Sequence, residues 1–214
     1  MKQKIIFIAA ALVLLALFIV GTLAFKNKQH SAAQAHVQIN QEALIRMHSP
    51  IIGAQNAKVT IVEFIDPACE ACAAFYPFVK ELIAKNPEQI RLVMRYAPLH
   101  QGAEQVIAVL EAARKQGKYW PALETVLATQ DQWTKNHQAK VDLVLPLLAP
   151  LGLDMAQLQT DMQSSGIQIV IQQEIADAKA LSVNKTPSYF VNGKPLLSFG
   201  YQQLSDLVDE ALNK

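Results

Sequence analysis

Cysteine is scarce in this chain of 214 residues: there are two. Two thiols exclude a disulfide scaffold and a four-cysteine zinc site. Charge of one sign is lacking too, since 19 Lys+Arg stand against 18 Asp+Glu for a net charge of +1. That balance leaves no electrostatic footprint for a phosphate backbone and gives nucleic-acid binding no support. There is no internal repeat, no low-complexity tract, and no polybasic or amphipathic surface-binding tract. What remains, with 51% hydrophobic residues, is enough for one ordinary domain plus an appendage, or for two small domains.

The longest apolar run lies at the N-terminus. Lys2 and Lys4 precede residues 5–25, which carry no charge and only Gly21 and Thr22 outside the apolar set. As a helix this run would span about 30 Å, the thickness of a bilayer core. A cleaved signal peptide is the competing reading. Its apolar region is shorter, and the best small-x-small site here, Ala33-Gln34-Ala35, lies well beyond Phe25 and behind Lys26 and Lys28. Length and spacing favour an uncleaved single-span anchor over residues 1–25. Lys2, Lys4 and the terminal amine outweigh Lys26 and Lys28, so the remainder is expected outside the inner membrane, facing the periplasm or the cell exterior, and released if the segment is cleaved. Disulfides persist in that compartment.

Residues 26–49 are polar and rich in Ala and Gln, and read as a tether with one short helix. Beyond Pro50 the pattern predicts a β-branched strand over 59–65 that is apolar on both faces, a helix over about 69–85, and a second apolar strand over 90–96: a βαβ unit. Helical periodicity then dominates residues 100–182, interrupted by Pro146, Pro150 and Gly152. Strands at 188–191 and 194–198 flank Asn192-Gly193, a type I′ hairpin signal, and a last amphipathic helix carries Leu204, Leu207, Val208 and Ala211. The order βαβ, helices, ββα predicts an α/β domain over 50–214 with thioredoxin-type topology and a helical insertion at about 100–182.

The two cysteines are spaced Cys69-Glu70-Ala71-Cys72. Random placement would put two cysteines three apart about one time in a hundred, and a structural bridge over so short a step would stabilise little. At the start of a helix, Cys69 meets unpaired amide protons and the positive end of the dipole, which favour its thiolate, the nucleophile of disulfide exchange. Cys72, one turn later, is placed to resolve a mixed disulfide. The pair can cycle between dithiol and disulfide without a cofactor. A Cu(I)-binding or copper-delivery module using the same soft thiolates is the alternative. His30, His36, His48, His100 and His137 show no metal-ligand spacing with the cysteines, and His100 reads as a loop or capping residue. Glu63, flanked by Val62 and Phe64 in the strand that feeds the helix, sits in an apolar setting that should raise its pKa and let it relay the proton of Cys72; a strand-end glutamate facing water is the alternative. Thr186-Pro187 precedes a strand, where a cis peptide would turn the Thr186 backbone toward the thiols, although trans is the ordinary state of an X-Pro bond.

The run from Val59 to Cys72, VTIVEFIDPACEAC, resembles the active-site region of the DsbA-like thiol-disulfide oxidoreductases of the thioredoxin superfamily. Pro77 resembles the proline inside the thioredoxin active-site helix. Pro98-Leu99-His100, Glu111-Ala112-Ala113 and Gln116-Gly117-Lys118-Tyr119-Trp120 resemble the stretch that opens the DsbA-like insertion, and Thr186-Pro187 with Tyr189 to Gly193 resembles the cis-proline loop and its strand. The resemblance covers about residues 50–213. It implies an exported oxidoreductase in which Cys69 attacks, Cys72 resolves, Glu63 is the buried acid, and Pro187 in cis shapes a substrate groove with Thr186, Glu70 and Ala71. It also implies partners: substrate proteins with thiols or disulfides, and a membrane redox partner that recycles the pair. Glu70 and Ala71 depart from the Pro-His of DsbA itself, and a carboxylate beside Cys69 predicts a milder oxidant. Threonine before the proline resembles the isomerase-type members, which carry a dimerisation domain not seen ahead of residue 50.

Overall fold

The computed structural model describes residues 2–39, 41–136 and 138–214, in two compact units, Met1–Ile39 and Asn40–Lys214. In the first, α1 (Lys2–Ile39) is one continuous helix. It includes a stretch, Leu12–Gln29, with a mean hydropathy of 1.4, long and apolar enough to cross a membrane. The helix runs on through residues 26–39, where the sequence predicted a tether with one short helix. Good helix formers (Ala, Gln, Lys) fill that stretch, and neither Gly nor Pro occurs between Gly21 and Pro50 to stop it.

The second unit is built on a five-stranded sheet of order β1-β3-β2-β6-β7. Its strands are β1 (Ile51–Gly53), β2 (Val59–Ile65), β3 (Ile90–Tyr96), β6 (Ser188–Val191) and β7 (Lys194–Pro195); β4 (Thr134–Lys135) and β5 (Gln138–Ala139) form a separate ribbon. β2 and β3 run parallel, joined by α2 (Glu70–Lys85), and the other pairings are antiparallel. The βαβ unit thus falls where hydrophobic patterning placed it. The hairpin also forms, with Asn192 and Gly193 at φ 46° and 79° as a type I′ turn requires. Its second strand is shorter than the expected 194–198: after Leu196 N donates to Tyr189 O, the chain turns away and Phe199 packs on Phe75 with ring centroids 4.2 Å apart.

Register assigns the faces. Ile61, Glu63 and Ile65 of β2 lie opposite Leu92, Met94 and Tyr96 of β3, and Glu63 lies opposite Tyr189 of β6. This face is covered by α2 and by α9 (Tyr201–Leu212), whose Leu204 and Val208 are buried. The other face presents Val62, Phe64, Val93 and Arg95 to α8 (Ser165–Ala180) and to the segment carrying Ala43 and Leu44. Between β3 and α8, the helices α3 (Ala103–Lys115), α4 (Tyr119–Ala128), α5 (Gln130–Trp133), α6 (Val141–Leu148) and α7 (Met155–Met162) form the insertion. Its apolar side chains (Val106, Leu110, Leu123, Trp133, Leu158) share one core with β2, β3 and α2.

Burying β3 on both faces encloses a charge. Arg95 is inaccessible to solvent. Its Nε donates to both oxygens of Glu174 at 2.9 and 3.0 Å, its Nη2 to Asp177 Oδ2 at 2.7 Å, and its Nη1 to the carbonyl of Ala43. Arg46 reaches Asp177 from outside at 2.7 and 2.8 Å, and His48 Nε2 lies 2.7 Å from Glu174. The cluster fastens residues 43–48 and α8 to the sheet, with each buried charge paired and hydrogen-bonded.

Candidate active site

Asp66 shapes the loop ahead of the cysteines. It is fully buried. Oδ1 accepts from Ala68 N at 2.8 Å, and Oδ2 accepts from the backbone amides of Leu99 and His100 at 2.7 Å and binds His100 Nδ1 at 2.8 Å. One carboxylate therefore joins the 66–69 turn to the 97–100 loop. His100 is the loop residue the sequence suggested, held by its backbone and its ring. Asp66 was not anticipated, although Asp-Pro before a helix is a recognisable turn signal.

Cys69 is the residue that caps α2, in extended conformation, with Cys72 one turn on. Both are free thiols, 8% and 0% exposed. Their titrations are pushed apart. A hydrogen bond with the Cys72 thiol is the main cause that draws the Cys69 pKa down to about 6, against the opposing effect of burial. The Thr186 side chain and the amides of Cys72 and Ala71 act in the same sense. Burial drives Cys72 well above an ordinary thiol, and the neighbouring Cys69 and Glu63 add to it. Glu70, in the first turn of α2, is exposed to solvent, as a carboxylate hydrated at the helix N-terminus should be.

The Thr186–Pro187 bond is cis, and the Thr186 carbonyl accepts from Cys69 Sγ at 3.2 Å. Pro187 is buried behind it and Thr186 is partly exposed. Glu63 sits on the α2 face of the sheet and not in water: it is 0% exposed, and burial raises its pKa to about 8. Oε1 accepts from Tyr189 OH at 2.8 Å, while Oε2 has no partner among the described residues. Tyr189 was missed, because its approach depends on the β2–β6 register. Ala71 packs against the core beside Cys72. One turn beyond, Phe75 stacks on Tyr201 with centroids 4.0 Å apart, and Phe78 meets Tyr201 edge-on at 5.0 Å. Pro77 lies inside α2. Trp133 is buried, its Nε1 donating to Val126 O at 3.0 Å, and Trp120 sits at the core margin against Tyr119. Among the described residues no group of three His, Cys, Asp or Glu side chains is arranged for a metal ion; His137 lies outside them.

The thioredoxin family profile matches residues 46–210. A thioredoxin-like oxidoreductase from Silicibacter pomeroyi is 31% identical and superposes with a TM-score of 0.70 over 82% of this chain and 99% of its own. The thiol-disulfide exchange protein α-DsbA2 from Wolbachia pipientis shares the fold at 19% identity, with a TM-score of 0.71 over 86% of this chain and 97% of that one. The Na(+)/H(+) antiporter NhaA of Herminiimonas arsenicoxydans is 30% identical over 146 residues, 68% of this chain. The chain spans about a fifth of the length of the curated antiporters it matches. With that family profile covering the sheet, the insertion and the paired cysteines, the chain belongs to the thioredoxin family and has the DsbA-like fold.

Proposed function

We propose that the chain is an exported protein thiol-disulfide oxidoreductase working through the Cys69–Cys72 couple. Residues 1–25 would anchor it in the inner membrane, residues 26–49 would tether it, and residues 50–214 would carry the activity in the periplasm or outside the cell. The observation that carries the reading is the asymmetry of the pair: a barely exposed sulfur drawn to about 6 at the start of α2, beside a fully buried thiol driven upward.

In the oxidase direction a substrate thiolate attacks Cys69 Sγ of the disulfide, forming a mixed disulfide, and the S–S electron pair leaves on Cys72, which takes up a proton. A second substrate thiolate then attacks the substrate sulfur of the mixed disulfide and expels Cys69 as its thiolate. Two electrons have passed from the substrate dithiol to the couple, and a membrane redox partner able to accept two electrons must reoxidise it. In the reductase direction Cys69 attacks a substrate disulfide, and Cys72, once deprotonated, displaces the reduced product. Glu63, protonated at neutral pH, is the nearby donor when Cys72 leaves and the acceptor once it has ionised. Thr186, Pro187, Glu70 and Ala71 would border the bound substrate. A Cys69 pKa of about 6 lies between the values of about 3.5 and about 7 that mark the strong oxidant and the reductant of this fold, which fits an oxidant of intermediate strength.

Replacing Cys72 by serine removes the resolving sulfur. The Cys72→Ser protein should accumulate mixed disulfides through Cys69 with exported proteins, separable on a non-reducing gel and lost in the Cys69→Ser control. Absence of such adducts, together with stoichiometric Cu(I) binding by the unaltered protein, would replace exchange by copper handling.

A further inference from the structure

A groove of about 480 Å³ lies on the α8 side of the sheet, where the end of β3 meets the end of α8, at the end of the sheet where β2 leads into α2. Leu99, Ile175, Ala178 and Val183 give it an apolar wall, and Lys179 and Asn184 line its edge. Both walls are connected to the loops that hold Cys69. Leu99 N donates to Asp66, whose carbonyl accepts from Cys69 N at 3.0 Å. Asn184 is two residues from Thr186, at most about 7 Å of extended chain, and the Thr186 carbonyl lies 3.2 Å from Cys69 Sγ. Leu99 is 50% exposed, an apolar side chain left facing solvent on the loop that Asp66 ties to the turn ahead of Cys69. Lys179 and Lys185 are exposed, and neither ammonium has an ion-pair partner among the described residues. Of the acids on the neighbouring elements, Asp177 is engaged by Arg46 and Arg95 and Asp66 by His100 and three backbone amides, whereas Glu70 at the start of α2 is exposed.

Resting on the exchange reading, we propose that this groove is a substrate subsite. It takes an extended, cysteine-containing stretch of a substrate protein, with an apolar side chain about two residues from the attacked or attacking cysteine and a carboxylate next to it. The apolar side chain covers Leu99 and Val183, and the carboxylate meets Lys179, so selection comes from a local cationic rim although the chain as a whole is nearly neutral.

The test uses the oxidised full chain and follows formation of the mixed disulfide at Cys69 by stopped flow. One probe is a seven-residue peptide, palindromic about its single cysteine, with leucine two residues away and glutamate three residues away on each side. A second has lysine in place of glutamate, and the third is 2-mercaptoethanol, neutral and too short to fill the groove. The glutamate peptide should react about fivefold faster than the lysine peptide at low salt, and Lys179→Glu should invert that order. Leu99→Ala should slow both peptides about threefold. Neither substitution should change the rate with 2-mercaptoethanol. A peptide ratio that Lys179→Glu leaves unchanged, with 2-mercaptoethanol still reacting, overturns the groove and keeps the exchange reading. No reaction of the unaltered protein with any of the three overturns both.

Discussion

Replacing Glu63 by glutamine should make the protein more stable at neutral pH and leave its stability nearly unchanged at low pH. In the folded chain burial holds this carboxyl protonated up to about 8, from an ordinary value of 4.5. The unfolded chain ionises it near the ordinary value, so between the two pKa values the unfolded state binds fewer protons than the folded one, and stability falls as pH rises. At about 1.4 kcal/mol per pH unit, the contribution lost is about 3 kcal/mol by pH 7 and about 5 kcal/mol above pH 8. Glutamine has nearly the same shape, can still accept from Tyr189 OH, and has no charge to lose. Urea unfolding of the reduced full chain in detergent, followed by tryptophan fluorescence from about pH 4 to pH 9, should give curves that diverge progressively above about pH 5, Glu63→Gln being the more stable. Parallel curves would mean that Glu63 ionises normally in the folded protein and would refute the burial argument. Glutamine cannot exchange a proton with Cys72, so Cys72-dependent resolution of mixed disulfides should slow on the order of a hundredfold. Alkylation of Cys69 should keep its rate.

Thr186→Val removes a hydroxyl that helps to hold the Cys69 sulfur ionised and keeps the backbone carbonyl. The Cys69 pKa, followed by thiolate absorbance in the ultraviolet, should rise from about 6 by about half a unit to one unit, and an unchanged titration would remove Thr186 from the account. Arg95→Met fills the same space but leaves Glu174 and Asp177 buried with fewer partners. It should cost about 3 to 5 kcal/mol in chemical denaturation, and a loss below about 1 kcal/mol would mean that Arg46 and His48 suffice to hold the two carboxylates.

The elements nearest the chemistry were legible because their signals are local. β2 and β3 are runs of β-branched and apolar residues, Cys69 stands one residue ahead of a helix with apolar period, and Asn192-Gly193 dictates a turn by its own backbone preferences. Polar composition alone suggests a tether over residues 26–39, whereas the helix propensities of Ala, Gln and Lys favour the continuation of α1 that forms. Alternation predicts a longer β7 than forms, because it does not reveal that Phe199 is drawn to Phe75.

The sequence by itself determined the spacing of the two thiols, their place at a helix start, and the βαβ and ββα halves that bring Thr186 beside them. Only the tertiary structure decided that Glu63 faces the apolar interior, that its partner is Tyr189, 126 residues away, and that Arg95 meets Glu174 across 79 residues of chain. It also decided that Leu99 and Lys179 border one groove. The reason is physical: periodicity and turn chemistry act over a few residues of backbone. Burial, and with it the cost of ionising a carboxyl or a thiol, depends on which distant segment covers the face.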